Sequence, residues 1–337
     1  MSEKTKISWA DATWNPLSML CTPCSPGCDH CWHLRMAKRQ AANSALPVEV
    51  RIACAGETGP VLTSRVSQPL QWKTPKTIAV QLMGDLFHES VEPWMQYEVY
   101  RRMALAPQHT YMMCTKRAEI MAARVPDIMF HLRRNESAFN PGILAKGYLE
   151  NIAHGVTVCN QAETAKLAIL CRMAGKLWVS YEPALSAVDF TPWPYRRVEC
   201  HCPEPKILYH DPQELVSECR SKETTNRLSL VVAGGETGPG ARPAHPQWFR
   251  KVRDDCKAAG TPLHLKSLGE WSTQKPRVYA GEWGTLDENG EYWSRTTPWN
   301  GRTGVDSETG EVLVYRIGKA LAGRVLDGQE HDGGIAW

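Results

Sequence analysis

Cys21-Thr22-Pro23-Cys24-Ser25-Pro26-Gly27-Cys28-Asp29-His30-Cys31-Trp32 places four thiols in one short loop. Cys24, Cys28 and Cys31 are spaced C-x3-C-x2-C, which lets three thiolates gather on one face of an iron–sulfur cubane. A [4Fe–4S] cluster held by only three cysteines keeps one iron open. The same residues also read as two C-x2-C pairs, Cys21/Cys24 and Cys28/Cys31, as in a structural zinc site. Only three residues separate those pairs, tighter than the spacings of common zinc folds. A disulfide staple is the weakest reading, because nothing marks the chain as secreted.

Outward from this loop the chain alternates strands and helices. Ile7 to Pro16 reads as a strand entering the loop, and Trp32 to Ala42 as the helix leaving it. Pro47 to Ser67 has no clear period and reads as an irregular connection. Strands are predicted at Thr77–Leu82, Thr110–Cys114, Gly155–Cys159, Leu177–Tyr181, Leu228–Ala233 and Leu263–Lys266. Helices are predicted at Pro93–Leu105, Ala118–Arg124, Ala162–Ala174 and Gln247–Ala259. Such alternation implies a parallel sheet, an α/β fold. The polar residues fall just after the strands, where barrel enzymes build active sites. A doubly wound open sheet gives the same alternation, but a partial or full β/α barrel is the favoured reading. It spans 1–271, with an insertion at 189–226 that carries Cys200-His201-Cys202. Residues 272–337 read as β-hairpins, with turns at Asp287-Glu288-Asn289-Gly290 and Ser307-Glu308-Thr309-Gly310.

A chain of 337 residues can bury a large core. With 42% hydrophobic and 22% charged residues it reads as globular. A net charge of +3 permits nucleic-acid binding without arguing for it. No apolar run is long enough to span a bilayer, and the first residues lack a signal-peptide core. The expectation is therefore a cytoplasmic protein with reduced thiols. Twelve cysteines are many for that compartment, which favours a metal role for some.

Other motifs sit at strand ends. Gly234-Gly235-Glu236-Thr237-Gly238-Pro239-Gly240-Ala241-Arg242 reads as a ligand cradle or as a tight turn. Asp85, His88 and Glu89 suit a divalent metal or acid–base work, or a strand end and helix cap. Lys116 and Arg117 suit a carboxylate or phosphate, or a surface ion pair. Glu182 before Pro183 suits a ribose or amino group, or a structural hydrogen bond. Cys200 and Cys202 with His201 lack a second pair and read as inert.

Several of these stretches together resemble a phage and prophage radical-SAM-like family, long known only as a domain of unknown function. The residues that carry the resemblance are Trp14-Asn15-Pro16, Cys21-x6-Cys28-x2-Cys31, Asp85-Leu86-Phe87-His88-Glu89 and Ala104 to Thr110. Thr115-Lys116-Arg117, Glu182-Pro183, the 234–242 turn and Gly269-Glu270-Trp271 continue it in order. The family's first cysteine corresponds to Cys21, whereas the wider radical SAM spacing favours Cys24, so the third ligand beside Cys28 and Cys31 is one of the two. The family's tyrosine after the last cysteine is Trp32 here, and its Val-Glu-Asn reads Val158-Cys159-Asn160.

The resemblance implies a radical SAM barrel with a [4Fe–4S] cluster whose open iron takes S-adenosylmethionine (SAM), cleaved to a 5′-deoxyadenosyl radical by an electron from an external donor. It implies SAM contacts from Glu236, Gly234, Gly235, Glu182 and Asn160. It implies substrate contacts from Lys116, Arg117, Arg242, Asp85 and His88. Related phages carry hypermodified thymines, so the implied reaction is modification of a thymine-derived base in DNA, within an infected bacterium. Most concretely, glycyl-thymidine would be isomerised from nitrogen to α-carbon linkage. A pyrimidine-lesion repair lyase is the rival enzyme, and a zinc-stabilised nucleic-acid-binding module the rival without catalysis.

Overall fold

The computed structural model describes residues 5–135, 147–191, 194–200, 221–274, 281–294 and 311–335. Its centre is a seven-stranded sheet: β1 (Ala12–Trp14), β2 (Thr77–Val80), β3 (Thr110–Thr115), β4 (Ile152–Thr157), β5 (Lys176–Tyr181), β6 (Leu230–Gly234) and β7 (Leu263–Ser267). Every neighbouring pair is parallel. Spatial order follows chain order from β1 to β7. A doubly wound sheet reverses direction partway. Here nothing reverses, so right-handed crossovers all fall on one face and the sheet curls into a half-barrel.

Both faces of the sheet are buried, which is why the strands read as apolar runs. On the convex face Ile78, Val80, Tyr111, Met113, Val156, Val179 and Val231 pack against helices. The helices are α1 (Trp32–Ala41), α2 (Val48–Ala55), α3 (Pro93–Leu105), α4 (Ala118–Asn135), α5 (Ala165–Leu170), α6 (Pro246–Ala259) and α7 (Lys319–Ala322); α3, α4, α5 and α6 supply the side chains of this cluster, whereas α1 and α2 pack on each other and α7 lies against Trp271–Ser272. In α3, Pro93 opens the first turn, where a missing N–H costs nothing, and Met95, Val99 and Met103 bury one face at i, i+4 spacing.

The concave face holds a second, smaller cluster: Met112, Ala153, Trp178, Leu230 and Val232, with Trp9 and Ile335 against it. Trp9 and Trp178 lie 5.3 Å apart, and Trp178 Nε1 donates to the Met113 carbonyl at 2.9 Å. This aromatic floor needs Gly155, because a Cβ there would come within 2.5 Å of the Trp178 ring and 2.9 Å of Met113 O. Gly155→Ala is therefore expected to lower stability by about 1–3 kcal/mol through overpacking. Urea unfolding measures it, and an unchanged midpoint would remove this account of the floor. The sheet's two edges are joined near the floor. Ser8 Oγ bonds His264 Nε2 on β7 at 2.7 Å, and residues 331–333 run along β7 through Leu265 N to His331 O and Gly333 N to Leu263 O.

Several expectations are corrected in detail. The 47–67 segment is not irregular: it forms α2, a two-residue strand (Val61–Leu62) paired with Leu17–Ser18, and the start of a 3-10 helix over Ser64–Gln71. Helix α4 runs past Arg124 to Asn135. The helix predicted over 162–174 shortens to α5, preceded by a 3-10 turn at Gln161–Thr164 whose Asn160 side chain accepts from Glu163 N. In the insertion, Pro194–Cys200 pairs antiparallel with Ser221–Arg227, while His201 and Cys202 lie outside the described residues. After β7, β8 (Trp271–Ser272), β9 (Trp283–Leu286), β10 (Tyr292–Ser294) and β11 (Val312–Arg316) form an antiparallel sheet ordered β8-β11-β9-β10. Its own core is Trp271, Leu286, Val312 and Val314. The turn at 287–290 joins β9 to β10, with Gly290 N donating to Asp287 O; the turn at 307–310 lies outside the described residues. Among the described residues no helix is long and apolar enough to cross a membrane.

Candidate functional site

The cysteine loop lies across the C-terminal ends of the strands because its backbone leaves it little choice. Ser25 Oγ accepts from Gly27 N at 3.2 Å and opens a 3-10 turn over Pro26–Cys28. Cys28 N then donates to Ser25 O, and Cys31 N to Cys28 O. Gly27 rests on three strand ends at once. A Cβ there would meet Cys159 Sγ at 2.4 Å, Pro183 Cδ at 3.1 Å and Lys116 Cε at 3.5 Å. Only glycine lets the loop sit this low.

The thiols differ in environment. Cys24 is exposed, Cys21 and Cys31 are half-buried, and Cys28 is buried. A hydrogen bond from the Cys24 thiol pulls the Cys28 pKa down and pushes that of Cys24 up, so the pair shares one proton; Lys116 also favours the Cys28 thiolate. Burial raises Cys21 to about 11, against the pull of Arg117. Lys116 lies beneath the loop. Burial disfavours its charge, but the thiols of Cys159, Cys28, Cys114 and Cys31 outweigh that and raise its pKa.

Two arginines fasten the loop, one near each end. Arg117 is buried; its Nε donates to both Glu89 carboxylate oxygens at 2.8 Å, and Nη1 to Asp85 at 3.3 Å. Its Nη2 donates to the Thr22 carbonyl and hydroxyl, both at 3.1 Å, and Nη1 also reaches Cys21 Sγ at 4.0 Å. All five guanidinium donors are thus engaged. His88 Nε2 adds a 2.8 Å contact to Thr22 Oγ1, while its Nδ1 contacts Ser90. Asp85 also accepts from Thr115 Oγ1, Phe87 N and Lys116 N.

At the other end, Arg242 donates through Nε and Nη2 to Glu236, through Nη1 to Asp29 at 2.9 Å and through Nη2 to the Pro26 carbonyl at 2.9 Å. Glu236 is buried, takes His30 Nδ1 at 3.0 Å, and keeps a lowered pKa against its burial through Arg242 and His30.

Below the loop the concave wall is polar. Alternation along the strands places Cys114, Thr157, Ser180, Glu182 and Lys266 on this face. Cys114 Sγ lies 3.3 Å from Thr157 Oγ1, and Glu182 pairs with Lys266 at 2.9 Å. Gly234 leaves room for Glu182, since a Cβ there would fall 2.6 Å from its Oε1. Gly235 backs onto the Leu268 carbonyl. Of the residues singled out from sequence, the rim thus gathers the cysteines, Asp85, His88, Lys116, Arg117, Glu182, Gly234, Gly235, Glu236 and Arg242. Asn160 is at the same rim, with its side-chain oxygen turned onto its own 3-10 turn. Cys114, His30 and Lys266 were not singled out. Strand parity alone would have placed Cys114 and Lys266 on this wall.

Among the described residues no three His, Cys, Asp or Glu side chains stand together as a group that could hold a metal ion. The donor set itself, soft thiols on one loop with Cys28 biased toward thiolate, fits an iron–sulfur cluster in its chemistry.

Fold and rim together define a parallel β/α half-barrel protein with a cysteine loop across its C-terminal mouth. The chain belongs to the family described as protein of unknown function (DUF5131), which it matches over residues 4–334. No curated protein and no solved structure matches it.

Proposed function

We propose that this protein is a radical SAM enzyme that modifies a thymine-derived base in phage DNA, drawing on an external electron donor. The observation that carries the reading is the position of the cysteine loop: four thiols over the strand ends of a half-barrel, with a polar concave wall below. Cys28, Cys31 and one of Cys24 and Cys21 would hold a [4Fe–4S] cluster. When bound, such a cluster offers SAM an open iron and the electron that cleaves it.

The chain's own residues have separable tasks. Lys116 offsets thiolate charge under the loop. Arg117 and Arg242 hold the loop at Thr22 and Pro26. Glu182, Lys266, Ser180 and Thr157 offer donors and acceptors to bound molecules, with Glu182 and the Gly234–Gly235 backbone assigned to SAM. The Trp9–Trp178 floor keeps water out from below. The substrate that fits the resemblance most concretely is glycyl-thymidine, isomerised from nitrogen to α-carbon linkage.

The test is anaerobic reconstitution with iron and sulfide, then incubation with SAM, dithionite and the phage's own DNA. Formation of 5′-deoxyadenosine and a mass-neutral change in a thymidine nucleoside support the reading. One zinc per chain without sulfide overturns it in favour of a zinc-stabilised module. The third ligand is tested separately. Cys24 stands beside Cys28 and completes C-x3-C-x2-C, whereas Cys21 lies against Arg117, so Cys24→Ala is expected to lose the cluster and Cys21→Ala to keep it. Iron content of the two variants decides, and the reverse pattern assigns Cys21.

A further inference from the structure

Helix α1 leaves the cysteine loop at Trp32 and carries Arg35, Lys38 and Arg39 with no acidic residue. At about 100° per residue, Trp32, Arg35 and Arg39 fall within about 60° of one another, with Lys38 about 60° further round beyond Arg35. His33 and Ala37, across the helix, are buried. The outer stripe is open: Trp32 is 48% exposed, and Arg35, Lys38 and Arg39 are all exposed. Among the described residues no carboxylate pairs with any of these three cations. Arg35 also stands at the rim, since a Cβ on Gly238 would lie 3.1 Å from its Nη2. It thus lies beside the 234–242 turn whose Arg242 clamps the loop.

The contrast with the rim arginines is the argument. Arg117 has every donor engaged inside the protein, and Arg242 reaches Glu236, Asp29 and Pro26. Neither has a free fork for a phosphate. The α1 cations have no such partners among the described residues, and Arg35 and Arg39 stand in line behind an exposed indole one residue from Cys31, with Lys38 flanking them. An exposed aromatic for a base and a row of cations for the backbone is how proteins hold a single strand. The three cations span residues 35 to 39, about 6 Å along the helix, a short row that faces the backbone of one strand.

We propose that the outer stripe of α1 is the docking surface for a DNA strand. Trp32 stacks on an unpaired base, and Arg35, Lys38 and Arg39 contact successive phosphates. This sets a neighbouring nucleotide at the cysteine loop. The inference rests on DNA being the substrate.

The test uses the full chain and a labelled thymine-containing single strand, with affinity measured by fluorescence anisotropy from 50 to 200 mM salt. The wild type, Trp32→Ala and the triple variant Arg35→Gln/Lys38→Gln/Arg39→Gln are compared, with melting temperature as the control for folding. In the triple variant the log–log salt slope should flatten by about 2, at about 0.7 per phosphate. Trp32→Ala should lose affinity about tenfold with its slope kept, the signature of lost stacking. A wild type that binds DNA beside folded variants of unchanged affinity and slope overturns the α1 surface alone. A wild type that binds neither single strand nor duplex overturns the DNA reading itself, and the α1 surface with it. Duplex binding that ignores Trp32 and equals single-strand binding overturns the stacking role.

Discussion

Cys28→Ala and Cys31→Ala, reconstituted anaerobically with iron and sulfide, should come out colourless, while the wild type is brown with about four irons per chain. The effect is expected to be all or none. Cys28 is the buried member of the set, the acceptor of the Cys24 thiol proton and a neighbour of Lys116. Cys31 is the last residue before α1, so its position is fixed by a helix start. Truncating either leaves too few thiolates from C-x3-C-x2-C to hold a cubane. Cys24→Ala and Cys21→Ala belong to a different comparison, the one that assigns the third ligand. Iron and sulfide analysis beside melting temperature gives the answer. Full iron in both folded variants would falsify the cluster assignment.

Arg117→Ala should cost about 3 kcal/mol or more of stability, because it leaves a buried carboxylate without its cation. The partner that matters is Asp85, 6% exposed; Glu89 is largely exposed and regains water. The loss is also local. The Thr22 carbonyl and hydroxyl lose their donor, so amide exchange across 21–24 should quicken beyond the global change. The salt slope of DNA binding should stay where it was. A stable variant with a flattened slope would return Arg117 to the substrate surface. Arg117→Lys should recover only part of the stability, since an ammonium has no planar fork to span Glu89, Asp85 and Thr22 together.

The strands were legible in the sequence for a physical reason. A strand buried on both faces has to be apolar at every position, as in Tyr111-Met112-Met113 and Leu230-Val231-Val232-Ala233. The rim was legible because polarity returns as each strand ends, at Lys116, Glu182 and Glu236. The segment 47–67 was not, because α2 is short, begins after Pro47 and is followed by a proline-containing 3-10 helix, so no period has room to develop. Pairing was not legible either. The partners of Arg117 come from residues 22, 85 and 89, and those of Arg242 from 26, 29 and 236. A charged residue after a strand looks the same in sequence whether its fork faces a phosphate or a neighbouring loop. Whether the barrel closes depends on the pairing of β1 and β7, which no local pattern encodes.

That unclosed pair has a mechanical consequence. Among the described residues β1 and β7 are joined by Ser8 and the 331–335 tail near the floor, and by no ladder at the mouth. At the mouth the seam is spanned by side chains instead, with Arg242 and His30 tying the loop after β1 to the turn after β6. Widening the mouth would therefore cost these side-chain bonds and no strand–strand hydrogen bond.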